Sequence, residues 1–329
     1  MVLASIVPTL RAESPATRVA PTLNRGVNLG NALEAPREGS WGVTLEEKDF
    51  VLIKKAGFRS VRIPARWSAH ADPRPPYLLH PEFLQRVDWV LDQARQHGLS
   101  VVLNTHHWED FHQNPRAHAP RLEAIWVQIA EHYRDRPESL VFEIFNEPHD
   151  MPAEIWNPIQ LGVLRKIRNI SPERVVILSS LDWSSVKGLP ELQLPKKDAA
   201  VLATFHYYAP YPFTHQGAHW AKDSDRWLGT RWRDEKPERE AIQKDFQTAA
   251  DWWKQHGIPV YLGEFGAFEK APMEDRVLWT RRVARTAEQL GLPWCYWEFR
   301  SHFGVYHREK NEWRLPLLQA LLPGANPAP

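Results

Sequence analysis

A single (β/α)8 barrel is the fold class this sequence predicts, on three observations. Eight short apolar runs recur along the 329 residues, segments of helical period or loops leading to them separate the runs, and no Gly/Ser linker or shift in composition divides the series. The runs fall at residues 25–31, 59–67, 99–107, 140–147, 174–180, 201–208, 258–266 and 292–299. Between them, Phe83, Leu84, Val87, Leu91 and Ala94 share one face at spacings of three and four, which predicts a helix over 81–98. Residues 238–257 and 274–290 read the same way, Thr44 with Glu47 reads as a capping box, and Gly57 and Gly98 stand where helices stop.

The first residues stand outside this series. Residues 2–10 are apolar but are broken by Ser5 and Pro8 and lack a basic stretch before them. Residues 1–24 are therefore expected to be a flexible leader or the remnant of a secretion signal, and 25–325 the barrel. The connection after the sixth run is the longest, and residues 209–233 carry Tyr211, Phe213, His215, His219, Trp220, Trp227 and Trp232. A small satellite core under the loop and a surface that stacks on sugar rings are both open readings of these aromatics.

Composition narrows the function classes. Forty-one Lys+Arg against 40 Asp+Glu give a formal charge of +1, without a basic stripe, so nucleic acid is not expected as a partner. No apolar run approaches the roughly 18 residues of a membrane span, and no membrane partner is expected. One cysteine, Cys295, excludes an internal disulfide framework and any multi-thiolate metal site. The sequence holds no GxGxxG, no GxxxxGK[ST] and no GxSxG, which disfavours nucleotide chemistry and serine hydrolysis. Sixteen tryptophans exceed what core packing needs and suggest a surface that binds something flat.

In such barrels chemistry sits at the C-terminal strand ends. Those ends offer Asn31 and Glu34, Arg62, His106 and His107, Asn146 and Glu147, Trp183, His206 and Tyr208, Glu264, and Trp297 with Glu298. Polar groups that end apolar strands are costly to desolvate unless they pair with one another. Glu147 and Glu264, on runs four and seven, come from nearly opposite sides of an eight-strand ring. Glycoside hydrolysis needs such a pair, one carboxyl protonated and the other ionised. Arg62 is placed to keep Glu264 ionised, which leaves Glu147 as the acid. Alternation puts Glu143 on the same strand face as Glu147, as an interior partner of Arg62 or of a histidine. Asn146 should then point away, and a role for it in the site requires a local irregularity. The ligand-rich stretch His106, His107, Glu109, Asp110 and His112 lacks HExxH spacing, and the carboxylate account needs neither metal nor cofactor.

Five motifs carry a resemblance: Asn28-Leu29-Gly30-Asn31-Ala32-Leu33-Glu34, Val61-Arg62-Ile63-Pro64, Asn104-Thr105-His106-His107, Asn146-Glu147-Pro148 and Gly263-Glu264-Phe265-Gly266-Ala267. Together they resemble glycoside hydrolase family 5, a family of endoglucanases and related β-glycanases. The resemblance implies Glu147 as acid/base and Glu264 as nucleophile, with Arg62, Asn146, His206 and Tyr208 in support. It further implies His106, His107 and Trp297 at the subsite where the bond breaks, and Asn31, Glu34, His215 and Trp220 as sugar contacts. The run 213–218 with Trp220 resembles a loop of bacterial endoglucanases, some of which also accept mannan. A retaining, extracellular, monomeric endo-β-1,4-glucanase acting on β-linked polysaccharide or oligosaccharide is the expectation. A β-mannanase or mixed-linkage glucanase on the same site, and a non-catalytic carbohydrate-binding barrel, are the alternatives.

Overall fold

A computed structural model describes residues 13–327. Its frame is eight parallel strands: β1 (Gly26–Asn28), β2 (Ser60–Ile63), β3 (Ser100–Asn104), β4 (Leu140–Glu143), β5 (Val176–Ser179), β6 (Val201–Tyr207), β7 (Val260–Phe265) and β8 (Cys295–Tyr296). Each pairs with its sequence neighbour, and β8 pairs with β1. Leu262 bridges Trp294, and the Trp297 amide donates to the Phe265 carbonyl, so β7 meets β8 and the barrel closes. All eight predicted runs contain a strand, but the strands are shorter. The chain leaves regular pairing once its side chains must reach the barrel mouth, and His107 and Glu147 there take left-handed backbone angles (φ 47° and 48°).

The helices follow the periodicity closely, at Pro81–Gln96, Lys236–His256 and Met273–Gln289. Gly57 ends its helix at φ 102°, where a side chain would be strained. One start differs from expectation. The capping box lies at Glu46 and Asp49, not at Thr44 and Glu47, because the Glu46 amide donates to Asp49 Oδ2 at 2.8 Å. The Thr44 carbonyl instead accepts from Arg300.

The expected leader over 1–24 also differs. Residues 1–12 lie outside the described residues, but Pro15–Leu23 form a helix, α1, with Ser14 as N-cap and a proline in the first turn. Ala16, Val19, Ala20 and Leu23 are buried against Val102, Val141, Val175, Ile177, Leu202 and Tyr261. The Leu23 carbonyl accepts from Ser60 Oγ at 2.7 Å. An apolar stripe shields interior residues of the strands from water, so α1 belongs to the barrel's core. No described helix is long and apolar enough to cross a membrane.

The long connection after β6 contains both kinds of aromatic residue that the sequence left open. Phe213 and Trp232 are buried, and Ala218 packs with Phe268 and Phe303, whereas Tyr211 and Trp220 are exposed at 45% and 51%.

Candidate active site

Arg62, on β2, is the hub of the barrel mouth. It has no exposed surface, and its guanidinium donates five hydrogen bonds to four side chains. Nε and Nη2 grip both oxygens of Glu143 at 2.7 and 2.8 Å, in the fork geometry that suits arginine. Nη1 reaches Asn28 Oδ1 at 2.9 Å and Glu264 Oε1 at 2.5 Å, and Nη2 also reaches Asn146 Oδ1 at 2.7 Å. Burial alone would ease the proton off this group, but Glu143 and Glu264 hold it well above its ordinary range.

Glu264, near the end of β7, is 4% exposed. One oxygen accepts from Arg62 and the other from the Tyr208 hydroxyl at 2.8 Å. Burial, and then the charges of Glu264 and Glu147, keep the Tyr208 proton in place, so that hydroxyl is a donor. A bulge sets the aim of Glu264. Phe205 pairs with Leu262 but His206 pairs with Glu264, so Gly263 is the extra residue. A Cβ on Gly263 would stand 2.8 Å from both His206 Nε2 and Thr204 Oγ1, which only glycine avoids. The sequence motif contains this glycine, but nothing in its spacing announces a bulge.

Glu147 follows β4 after the irregularity expected at Asn146. β4 ends at Glu143, and Glu147 takes φ 48°, a conformation that costs a non-glycine residue about 1–3 kcal/mol and persists only when neighbours fix it. Its Oε1 lies 2.7 Å from His206 Nδ1. Burial depresses the His206 pKa to about 4, so the ring is neutral and shares a hydrogen bond with the Glu147 carboxyl. The nearest carboxyl oxygens of Glu147 and Glu264, with His206 between them, lie within 4.8 Å of one another.

The two acids are thus differently supported. Burial raises both, Glu147 to about 7. On Glu264 that rise is opposed by His206, by contact with Arg62 and by the Tyr208 hydrogen bond. Glu147 touches no cation and faces Arg62 only at a distance. Two direct donors, one of them charged, hold the negative charge on Glu264 and leave the proton on Glu147.

Around this pair the other sequence candidates converge. Trp297 stacks on His106 (5.8 Å, 10°), and His106 meets His107 edge-on at 4.5 Å. A Cβ on Gly30 would touch the Trp297 ring at 2.9 Å, so this glycine makes room for the tryptophan. Burial depresses both histidines, His107 to about 4, and the ring nitrogens are neutral polar contacts. His215 is buried beneath Tyr211 (4.0 Å, 18°), near Tyr208, and Trp220 stands exposed at the rim.

Glu34, expected as a sugar contact, is only 1% exposed. Its oxygens accept from the backbone N–H groups of Asn31 and Ala32, so it orders the loop that carries Asn31 at φ 64°. Glu298 is fully buried, and burial followed by the charge of Glu34 raises its pKa to about 8. A neutral acid with no exposure is no rival to Glu264. Glu298→Gln, which mimics the protonated form, is expected to keep kcat/KM within about threefold of the parent on the same soluble substrate.

Sequence reasoning did not single out Trp41. It lies in the loop after β1, is 42% exposed and meets His107 edge-on at 5.4 Å. Flanking Gly39 and Gly42 mark a turn but give no sign of which side chain faces the mouth. Among the described residues, Glu147, His206 and Glu264 form the one group of three His, Cys, Asp or Glu residues gathered at ligand spacing. The stretch from His106 to His112 does not gather.

Comparison with known proteins fits this geometry. The family model "Cellulase (glycosyl hydrolase family 5)" matches residues 22–303. Endoglucanase H of Acetivibrio thermocellus is 33% identical over 314 residues, which cover 93% of this chain and 33% of that protein. The chain spans two fifths or less of the length of this relative and of the cellulase/esterase CelE of the same organism. Among solved structures, Thermotoga maritima Cel5A in complex with cellobiose is 43% identical, with a TM-score of 0.91 over 93% of this chain and 99% of that one. The same enzyme in complex with a mannotriose substrate is 42% identical, with the same TM-score and the same shares covered.

Proposed function

The chain belongs to glycosyl hydrolase family 5, the cellulase family, and from that premise we propose that it is a retaining endo-β-1,4-glucanase with Glu264 as nucleophile and Glu147 as acid/base. The observation that carries the reading is the approach of the two carboxyls to within 4.8 Å. Retaining glycosidases space them about 5–5.5 Å apart, whereas inverting ones need about 6.5–9.5 Å to admit a water between acid and base.

In the first step a Glu264 oxygen bonds to the anomeric carbon as the glycosidic bond breaks, and Glu147 delivers its proton to the departing oxygen. Esterification removes the charge on Glu264, so the Glu147 carboxylate left by that transfer no longer faces a like charge and stays ionised, ready to act as base. Glu147 then takes a proton from water, the resulting hydroxide oxygen bonds to the anomeric carbon, and Glu264 leaves as a carboxylate. Two inversions restore the configuration. Asn146 accepts from Arg62 through Oδ1, which leaves its Nδ2 as the donor that this reading assigns to the sugar 2-hydroxyl. For a polymeric substrate, which cannot enter a cell, this reading places the enzyme outside it.

Proton NMR of a cello-oligosaccharide digest tests the mechanism: β-anomer appears first, and α-anomer as the first product overturns double displacement. The pH profile follows from the acid. Below about 7 Glu147 keeps its proton, so kcat/KM on unactivated substrates falls as pH rises through that value, and falls again in acid as Glu264 is protonated.

The mannotriose complex of the similar Cel5A favours a second reading, acceptance of mannan in the same cleft. Comparable rates on carboxymethylcellulose, barley glucan and glucomannan support a broad cleft, and activity confined to one of them excludes it.

A further inference from the structure

Three rings from three consecutive strand-end loops form a column beside the proposed acid/base. His112, on the helix Glu109–Gln113 after β3, stacks on His149 with centroids 3.6 Å apart and planes at 20°. His149, after β4, stacks on Trp183, after β5, at 4.5 Å and 7°. Trp183 sits in a run of left-handed residues, Asp182, Trp183 and Ser184 (φ 54°, 55° and 52°), and its backbone N–H donates to the Pro148 carbonyl at 3.3 Å.

The centre of the column touches the backbone of Glu147. His149 Nδ1 lies 2.8 Å from the Glu147 carbonyl oxygen, and a carbonyl only accepts, so Nδ1 carries the proton. His112 Nδ1 lies 3.4 Å from the His149 carbonyl in the same sense. The left-handed turn at Glu147 is thereby held from both sides. The Asn146 amide donates to Thr105 before it, and His149 and Trp183 bond the carbonyls of Glu147 and Pro148 after it.

We propose that His149 is a positioning residue for proton transfer: its Nδ1–H fixes the backbone turn that aims the Glu147 carboxyl, and the His112 and Trp183 faces fix the ring. This rests on the reading of Glu147 as the acid. Glu264 is held by Arg62 and Tyr208 and does not depend on the column. Loss of the donor therefore disturbs protonation of the leaving group and spares nucleophilic attack.

The test uses His149→Phe, which keeps a ring in the column without a donor, and His149→Asn, whose Nδ2 replaces Nδ1. Each is assayed on a cello-oligosaccharide and on a cellobioside with a dinitrophenolate leaving group, beside Glu147→Ala. His149→Phe is expected to lose about tenfold or more in kcat/KM on the oligosaccharide, to stay within about twofold on the activated substrate, and to be largely restored as Asn. Equal loss on both substrates, no loss on the oligosaccharide, or no rescue by Asn overturns the proposal. If Glu147→Ala itself lacks the leaving-group split, the acid assignment fails; if Glu147→Ala has the split and His149→Phe lacks it, only the role of His149 fails.

Discussion

Glu264→Ala loses turnover by on the order of 10⁴-fold or more while the protein still folds. Both halves of this expectation come from the same contacts. Turnover goes because no other group near the anomeric position is both ionised and held in place: Glu147 keeps its proton to about pH 7, and Glu298 is buried and neutral to about 8. Folding survives because Arg62 keeps both bonds to Glu143, so the buried cation is still neutralised at 2.7 and 2.8 Å. Azide is small enough to use the space the truncation opens. Attack in place of the carboxylate gives an α-glycosyl azide, with the leaving oxygen taking the Glu147 proton. A near-normal rate without azide, or β-azide in its presence, contradicts the assignment.

Arg62→Ala has the largest expected effect on stability. It leaves Glu143, at 0% exposure, and Glu264, at 4%, without their cation, and breaking a buried pair in this way costs about 3–5 kcal/mol. The melting temperature at neutral pH should fall by about 5–10 °C. The deficit depends on pH. Without Arg62 the Glu264 carboxyl, already pushed up by burial, protonates more readily in the folded state than in the unfolded chain, so its contribution is present in acid and lost as pH rises through the elevated folded pKa. The gap between variant and parent should narrow toward pH 4 and widen toward pH 8. Scanning calorimetry across that range checks it, and a pH-independent gap contradicts the charge argument. Arg62→Lys keeps one charge but has three donors on a flexible stem for five acceptor contacts, so it should recover stability better than activity.

Much of this arrangement was legible in the sequence, for a physical reason. Apolar runs that end in Arg62, Asn146, Glu147, His206 or Glu264 put costly groups where only mutual pairing makes them tolerable, and the pairs are present at hydrogen-bond distance. Alternation also gave Glu143 its face, and Arg62 as one of two partners. Other features were beyond reach. The bulge at Gly263 depends on how β7 registers with β6, and register is a property of two strands at once. His112, His149 and Trp183 are far apart in sequence and meet only because their strands are neighbours in the ring. α1 was missed despite a helix-start signal at Ser14-Pro15, because residues 1–24 were read as one block. The apolar stripe Ala16, Val19, Ala20 and Leu23 was the available evidence against that reading. Glu34 lay at the right end of the barrel, but its engagement with the Asn31 and Ala32 amides depends on a left-handed Asn31 that no pattern reveals.

The central claim is that Glu264 forms a covalent bond to the sugar. A 2-deoxy-2-fluoro-β-cellobioside with a dinitrophenolate leaving group slows both steps through its fluorine, yet lets the first proceed because departure needs no proton. Intact-mass measurement should then show one fluorinated cellobiosyl unit per chain, and peptide mapping should place it on Glu264. An adduct on Glu147 or any other residue, or an unmodified chain that continues to turn over natural substrate at its normal rate, contradicts the account.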